Sequence, residues 1–502
     1  MLRNIGSNWF LMVLTGLATF FLMPFNLGEL GTEQYGIWLI ISALMGYLFL
    51  LQLGVPMASV REMTQAIASG DTIALNRVIT SCAVLYLGFG FLACLIGIPL
   101  FFFFERSYAV PLAMREAARW AFVLSLVQTA LGFIAFMPQA ILSAHQAFVP
   151  KNALMSLAVI LRIVVNCVLV YLFPSMATLG IVMLAVTLFE LVASWAYVLH
   201  TYPKVRPALR HFRAATIRSI IGFSIYVFLM ALGSQLAFQT SALVIGHAMT
   251  SADVVNFAIP NSLMLILVQF VTGIASVLMP LATNLQTTGN KPELRNILFK
   301  WTKITLALSW CAGLFLLIFG PAFLQFWIKK AYHPESGQAL RILMVGYLLF
   351  LPLRGVAVPM LMGLGQVKWP TLATLAAGAL NFILSLLWVG PYGITGVAFA
   401  ALIPNVLLST AMAYLICREL GVSLQCYART TIPLSAIGGA AGIAILGWWQ
   451  HIWHPSGIFG LGLAGLLTVL VCVSIWAGLV LRHDPHVAMP KLSDVLRGKQ
   501  PW

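Results

Sequence analysis

NALMSLAVILRIVVNCVLVYLF (152–173) and ATLGIVMLAVTLFELVASWAYVL (177–199) are two apolar stretches with only three residues between them. Each is long enough to cross a bilayer as a helix. About 30 Å of hydrocarbon must be crossed at about 1.5 Å per residue, which takes about 20 residues. The pair therefore predicts two consecutive spanning helices joined by a tight turn.

The same pattern continues in both directions along the 502 residues and predicts fourteen spanning helices in all. They lie near 8–27, 36–58, 78–104, 118–142, 152–173, 177–199, 218–247, 254–284, 301–327, 339–363, 369–390, 393–416, 430–451 and 457–481. Only 8% of the residues are charged, against about 25% in a soluble globular protein. The sequence therefore predicts an all-α, polytopic membrane protein without a soluble domain.

Basic residues are unevenly distributed between the predicted connections. With the amino terminus in the cytoplasm, 20 of the 28 Lys and Arg residues lie on the cytoplasmic side, six on the other side and two inside helices. Short cytoplasmic loops of membrane proteins carry such an excess of positive charge. We therefore predict that both termini are cytoplasmic. The net charge of +15 reflects topology, with attraction to membrane lipids as a secondary effect, and does not indicate nucleic-acid binding.

The seven cysteines form no CxxC pair, and none falls in a predicted outer loop. Metal sites and disulfide frameworks usually show such spacings. We therefore expect no metal, no disulfide framework and no cofactor.

Two halves of the chain resemble each other at an offset of about 215–220 residues. SGDTIALNR (69–77) aligns with TGNKPELRN (288–296), and HQAFVP (145–150) aligns with GQVKWP (365–370) through Gln146 and Gln366. Asn166 and Gly180 correspond to Asn381 and Gly396. The repeat predicts two pseudo-symmetric lobes of six helices, 1–205 and 206–425, followed by two further helices and a tail in 426–502. Parallel repeats of this kind are typical of transporters that rock two bundles around a central cavity.

Ionisable side chains inside the predicted helices are candidates for a binding site, because burying a charge in the membrane is costly. Arg162 and Glu190 lie at matching depths in neighbouring helices and predict an ion pair. This pair would either lock the helices together, or Arg162 would bind phosphate while Glu190 holds it or takes a proton.

Two further arginines and two glutamines extend the candidate site. Arg354 lies near the middle of its helix, where an anionic ligand explains it better than a structural role. Arg61 lies at a cytoplasmic helix end, where it either meets an entering pyrophosphate or extends to the interface. Gln235 and Gln239 lie four residues apart on one predicted helix, where they line a sugar path or form interhelical hydrogen bonds.

LGTEQYGIWLIISAL (30–44), LQLGVPMASVRE (51–62) and LGQVKWPTLATLAAGALNFILSLLWVGPYGITGVAFAALI (364–403) resemble bacterial polysaccharide-type flippases of the multidrug/oligosaccharidyl-lipid/polysaccharide exporter superfamily. The resemblance covers essentially the whole chain. It implies transport of a polyprenyl-pyrophosphate-linked oligosaccharide across the bacterial inner membrane, for O-antigen (lipopolysaccharide), capsule or exopolysaccharide assembly. It also implies a glycan polymerase and glycosyltransferases as neighbouring partners.

Two transporters of the same superfamily remain as alternatives: a cation-coupled multidrug exporter and a lipid II flippase. The drug-exporting branch places acidic residues in its amino-terminal lobe, but helix 1 has none between Asn8 and Asn26. Three candidate arginines against one glutamate also favour an anionic lipid headgroup over a cationic drug. The outer loops are short and their acidic residues scattered, so we do not expect an enzyme.

Overall fold

The computed structural model describes residues 2–275 and 277–477 of the chain. Fifteen α-helices follow one another in these two ranges, which contain no β-strand. The helices are α1 (Leu2–Leu48), α2 (Val55–Ala68), α3 (Thr72–Ser107), α4 (Arg115–Ala144), α5 (Phe148–Leu172), α6 (Met176–Thr201), α7 (Ala214–Phe238), α8 (Thr240–Ala248), α9 (Ser251–Ala275), α10 (Leu278–Thr287), α11 (Lys291–Ile328), α12 (Pro334–Gly363), α13 (Lys368–Leu420), α14 (Leu424–Ile452) and α15 (Gly457–Trp476). The predicted all-α class is confirmed.

The exposed faces of the helices are apolar, as those of a multi-pass membrane protein must be. On α5 and α15 the exposed large side chains recur every three or four residues, which is the spacing of one helix face. These residues are Leu157, Ile160, Val164, Val168 and Tyr171 on α5, and Phe459, Leu463, Leu466, Leu470 and Val473 on α15. A soluble helix would place polar residues on such a face. Here the hydrocarbon of the bilayer is the solvent that these faces meet.

Ten helical segments within the described residues are long and apolar enough to cross a membrane, or twelve if each of two bent helix pairs forms one span. The two longest segments, Gly6–Ala68 and Lys368–Leu420, contain 63 and 53 residues. Each is interrupted by a glycine with a positive φ: Gly31 at 76° and Gly393 at 56°. A side chain at either position would be strained. If the parts on either side of each glycine cross separately, fourteen spans result, and that count stays a prediction.

A bend separates α7 from α8, whose axes differ by 42°. Breaking the helix there frees carbonyl groups that would otherwise accept bonds from the next turn. Asn381 of α13 donates its side-chain amide to two of them, Leu236 O at 3.3 Å and Ala237 O at 2.9 Å. In the first half of the chain Asn166, its repeat counterpart, donates to Asn26 of α1 at 2.6 Å. Both asparagines thus tie the fifth predicted helix of their half to the first.

The described residues divide into two compact units. The first comprises the chain up to Ile259 together with Thr374–Val397, and the second comprises Pro260–Ala373 with the described residues from Ala398 onward. The predicted lobe boundaries at 205 and 425 follow the repeat rather than this division, and they stay a prediction.

Local backbone geometry repeats between the halves at an offset of 219 residues. Gly70 and Gly289 have φ angles of 71° and 70°. Each is followed by a helix cap: Asp71 accepts bonds from the backbone of Ile73 and Ala74, and Asn290 accepts one from Glu293. The same turn and cap at both positions is what a duplicated unit produces.

A second repeated turn corrects the sequence alignment by one residue. The residue with a positive φ is Gln146 (56°) in the first half and Gly365 (76°) in the second. Closing bonds of 2.9 Å join Ala147 N to Leu142 O and Gln366 N to Leu361 O. The counterpart of Gln146 is therefore Gly365, not Gln366. The offset becomes 220 only after the turn, because Val367 adds one residue before α13.

A third repeated contact fixes the chain where a long helix ends. Asn76 in the first turns of α3 donates to Lys204 O, just beyond α6, at 2.9 Å. Its counterpart at the same offset, Arg295 of α11, donates through Nε to Leu420 O at the end of α13, at 2.8 Å. A polar side chain at this position holds the end of the sixth predicted helix in each half.

Candidate functional site

Arg162 lies in the middle of α5 and is half-buried. Its Nε atom is buried and makes no hydrogen bond within the residues that the structure describes. The group it interacts with electrostatically is Tyr35 of α1. One turn further along α5, Asn166 bonds to α1, so this face of α5 is directed to α1.

The expected ion pair between Arg162 and Glu190 is wrong: the structure describes both residues and does not join them. Instead, Gln139 of α4 donates a hydrogen bond to the Glu190 carboxylate. Matching depth in two adjacent helices does not place two side chains on facing sides. Glu190 is directed from α6 to α4, whereas Arg162 is directed from α5 to α1.

Glu190 belongs to a polar cluster that the sequence analysis missed. Lys151, at the start of α5, donates to the Ser143 hydroxyl at 3.0 Å and interacts electrostatically with Glu190. Ser143 in turn donates to the backbone carbonyl of Gln139 at 2.8 Å. The chain therefore compensates this carboxylate locally across α4, α5 and α6. The only signal in the sequence was a lysine beside a helix start, which the charge pattern assigned to topology.

Arg354 lies in the second unit, just after a 41° bend between Pro334–Leu348 and Leu353–Gly363 of α12. Its guanidinium lies 5.2 Å from the ring centroid of Phe350, one turn earlier, and interacts electrostatically with Tyr347. The Tyr347 hydroxyl is hydrogen-bonded to Asn405 of α13. Aromatic rings thus orient this cation, since a guanidinium stacks favourably on a ring face.

The two predicted glutamines lie at the break between α7 and α8. The side-chain amide of Gln235 occupies the space that a Cβ at Gly46 of α1 would need. Gln239 is the residue at the bend itself, and its backbone N–H donates to Gln235 O at 2.9 Å. Next to it, Thr240 forms a hydrogen bond with Tyr47. The two glutamines were predicted to lie on one face of a continuous helix. That helix instead bends at Gln239, and the bend packs on α1.

Arg61 lies on the exposed side of α2. The opposite side carries Ser59 and Met63, which are buried, and Ser59 is 3.3 Å from the Tyr86 hydroxyl of α3. Of the six predicted residues, Arg61, Arg162, Glu190, Gln235 and Gln239 belong to the first unit and Arg354 to the second. Within the first unit, Arg162, Glu190 and Gln235 have different neighbours and do not form one cluster.

The second unit contains an apolar cavity of about 230 Å³. Helices α11, α12, α13 and α14 line it, and Thr302 and Tyr427 form a 3.0 Å hydrogen bond at its wall. No group of three or more metal-ligating side chains occurs among residues 2–275 and 277–477.

The sequence matches the model of a known protein family, and the fold matches those of solved structures. The family described as polysaccharide biosynthesis protein matches residues 1–286, more than half of the chain. No curated protein sequence matches the chain significantly.

Three solved structures illustrate the fold. An inward-facing multidrug resistance MATE family transporter of the MOP superfamily has a TM-score of 0.72 at 17% identity, over 82% of this chain and 94% of its own. The lipid II flippase MurJ in an inward closed conformation has a TM-score of 0.71 at 14% identity, over 95% of this chain and 99% of its own. A MOP superfamily transporter from Pyrococcus furiosus has a TM-score of 0.59 at 17% identity, over 84% and 94%.

Proposed function

Because the chain belongs to the polysaccharide biosynthesis protein family, we propose that it is a flippase for a polyprenyl-pyrophosphate-linked oligosaccharide. It moves this lipid from the inner to the outer leaflet of a bacterial cytoplasmic membrane and feeds O-antigen, capsule or exopolysaccharide assembly. It acts by transport and not by catalysis, through alternating access of two helical lobes. Both termini lie in the cytoplasm. A glycan polymerase and glycosyltransferases are its proposed partners.

The observation that carries this proposal is the Nε atom of Arg162, which is buried and makes no hydrogen bond among the described residues. A buried polar atom without a hydrogen-bond partner costs free energy, so a position that keeps one calls for a ligand or a water molecule. A guanidinium offers a planar fork of N–H donors that matches phosphate oxygens. We assign Arg162 to the pyrophosphate because its Nε lies buried without a bond in the part of the chain that the structure describes.

Arg354 is the proposed second contact for the anionic headgroup. Its guanidinium lies over the Phe350 ring, and a guanidinium has the planar set of N–H donors that suits phosphate oxygens. The bend of α12 directly before Arg354 is a place where the helix can change direction between two states. Glu190 has its own partners and acts apart from Arg162, so it stays a candidate for taking up a proton and not a holder of that arginine.

The lipid tail requires an apolar environment, which the surrounding bilayer provides. The apolar cavity of the second unit offers in addition a place for one or two isoprene units.

The lipid II flippase is the alternative that one observation favours, because the fold match with MurJ extends over 95% of this chain. Its substrate also carries a polyprenyl pyrophosphate, so Arg162 would serve both. Depletion of the protein distinguishes the two proposals. Loss of a surface glycan in cells that keep their shape supports the first proposal, whereas lysis supports the second. Increased drug sensitivity with intact surface glycan would instead indicate a multidrug exporter.

The test uses cells whose only copy carries Arg162→Ala, Arg162→Lys or the control Arg106→Ala. Arg106 is exposed in the last turn of α3, so its loss removes a charge away from the proposed site. We expect both Arg162 variants to lose surface glycan at normal membrane abundance and to accumulate lipid-linked oligosaccharide inside. The lysine variant keeps the charge but not the fork of donors, and it should be impaired too. Normal export in both variants would contradict the assignment.

A further inference from the structure

The connection between α6 and α7 is held to α3 by its backbone. Asn76 donates to Lys204 O at 2.9 Å and accepts from Arg206 N at 2.6 Å. Further along α3, the Thr80 hydroxyl accepts from Ala208 N at 3.2 Å, and the Ser81 hydroxyl accepts from Arg213 N at 3.2 Å. Three side chains on one face of α3 thus fix a connection that has little regular structure of its own.

Side-chain packing of Val205 and Tyr202 holds the same connection against the helices. Val205 is only 2% exposed and packs in the core formed by α2, α3 and α4. Tyr202 packs on the ring of His145 with the centroids 4.0 Å apart. The connection is therefore a preformed surface with a defined side facing outward, and we call residues 202–213 the basic strap.

The outward side of the basic strap carries cations and apolar groups together. Its exposed basic residues are Lys204, Arg206, Arg210 and Arg213, and Arg218 follows in α7. Between them, Leu209 is 81% exposed and Phe212 is 38% exposed. The sequence from His200 to Arg218 contains no acidic residue. Asp71 lines the same cavity as Lys204, but its carboxylate caps α3.

We infer that the basic strap is a docking surface for anionic phospholipid headgroups of the membrane in which the protein is embedded. The strap joins two membrane helices, so it lies at the bilayer surface. Cations there attract anionic headgroups, and exposed Leu and Phe side chains enter the interfacial region beside them. Backbone bonds to α3 hold the cations in place before the lipid arrives, which lowers the entropic cost of binding.

Charges that only direct membrane insertion would not require the hydrogen bonds that join the strap backbone to α3. A topological signal depends on the number of Lys and Arg residues near a helix end and not on how their backbone is fixed. The bonds from Asn76, Thr80 and Ser81 place the charges, and their placement matters only for something that binds them.

The test measures lipid retained by the full-length purified protein, using native mass spectrometry with added phosphatidylglycerol or phosphatidylcholine. The variant is Arg210→Gln with Arg213→Gln, which leaves the backbone bond of Arg213 intact. The matched control is Arg106→Gln with Arg115→Gln, two exposed arginines outside the strap. Thermal unfolding establishes that each variant is folded.

We expect the wild type to retain phosphatidylglycerol in preference to phosphatidylcholine. The loss of two surface cations should weaken phosphatidylglycerol binding about 30-fold in the strap variant. The control should bind like the wild type. Equal binding by the strap variant and the wild type would overturn the inference, and so would full displacement of the lipid by inorganic phosphate, which would indicate a site for free phosphate.

Asn76→Ala tests the role of the fixed backbone without changing any charge. It removes both bonds that Asn76 makes to the strap. We expect a several-fold weaker preference for phosphatidylglycerol. An unchanged preference would contradict the claim that the strap is preorganised.

Discussion

His145 is a single residue whose surroundings make stability depend on pH. It follows α4 in a turn, its Nδ1 atom is buried without a hydrogen bond among the described residues, and its ring packs on Tyr202. Burial lowers the pKa of His145 below its usual value of 6.5. The unfolded chain therefore takes up a proton more readily than the folded one. The stabilising effect is complete above about pH 6.5 and is lost as the pH falls toward the lower folded pKa.

We expect His145→Gln to reduce this pH dependence. Unfolding of the purified protein, followed at about pH 7.5 and about pH 5.5, should show a smaller difference for the variant than for the wild type. His451→Gln, at the exposed end of α14, is the control. Equal pH dependence in the wild type and the His145 variant would contradict the prediction.

Gln146 has a left-handed backbone conformation, which glycine adopts without strain and glutamine does not. Its repeat counterpart is Gly365, so the second half of the chain avoids the strain that the first half keeps. We expect Gln146→Gly to raise the free energy of unfolding by about 1 kcal/mol, the gain being reduced by the greater freedom of glycine in the unfolded chain.

Denaturation in a detergent titration measures this change. Gln366→Gly, one residue after the second turn, should not stabilise the protein, since its backbone gains nothing from glycine. If Gln146→Gly is neutral or destabilising, the left-handed turn does not store the expected strain.

Individual candidate residues were predictable from the sequence, but their partners were not. A charged residue in an apolar segment stands out, as Arg162, Glu190 and Arg354 do. Which neighbour each one faces depends on how its helix is rotated about its own axis. The depth of a residue in the membrane does not determine that rotation. The polar cluster around Glu190 was missed for this reason: Gln139 and Ser143 have the ordinary appearance of residues near a helix end.

At the scale of elements, the crossing of α7 and α13 depends on two glycines. A Cβ at Gly378 would collide with the backbone carbonyl of Gly233, and a Cβ at Gly233 would lie 2.7 Å from the backbone nitrogen of Leu375. Backbone atoms cannot rotate away as a side chain can. The close approach also lets Asn381 reach the carbonyls at the end of α7.

We expect Gly378→Ala to lower the free energy of unfolding by about 1–3 kcal/mol, because the two helices must move apart. Gly390→Ala in the same helix is the matched control. Nothing lies within 4 Å of a Cβ at that position, so the change should be neutral or slightly stabilising. Equal effects of the two substitutions, measured in the same unfolding experiment, would contradict the close crossing.

Helix positions were more predictable than helix breaks. Apolar length determines where helices lie, and each candidate span of the described residues coincides with one or two of the predicted apolar stretches. The breaks at Gly31 and Gly393 depend on backbone dihedral angles, which many other glycines of the chain do not adopt. The bend after Phe238 carries no glycine or proline, and the hydrogen bonds from Asn381 to the carbonyls freed there help to stabilise it.

At the scale of the whole molecule, the distribution of charge predicts which side each connection faces. Cys426 is exposed in the first turn of α14, on the side proposed to be cytoplasmic. Leu112 is exposed between α3 and α4, on the side proposed to be outside. In intact cells, a membrane-impermeant maleimide should label Leu112→Cys and leave Cys426 unlabelled. A permeant maleimide should label both, and labelling of Cys426 from outside would reverse the topology.

The family and the apolar helices place the protein in a membrane, and the proposed substrate depends on whether Arg162 binds a pyrophosphate headgroup. The decisive measurement is translocation by purified protein in proteoliposomes, with a fluorescent polyprenyl-pyrophosphate-linked oligosaccharide compared with the same glycan on an uncharged polyprenyl lipid. We expect the wild type to move only the pyrophosphate-linked lipid and Arg162→Ala to move neither. Equal transport of both lipids, or unchanged transport by Arg162→Ala, would contradict the proposal that Arg162 recognises the pyrophosphate.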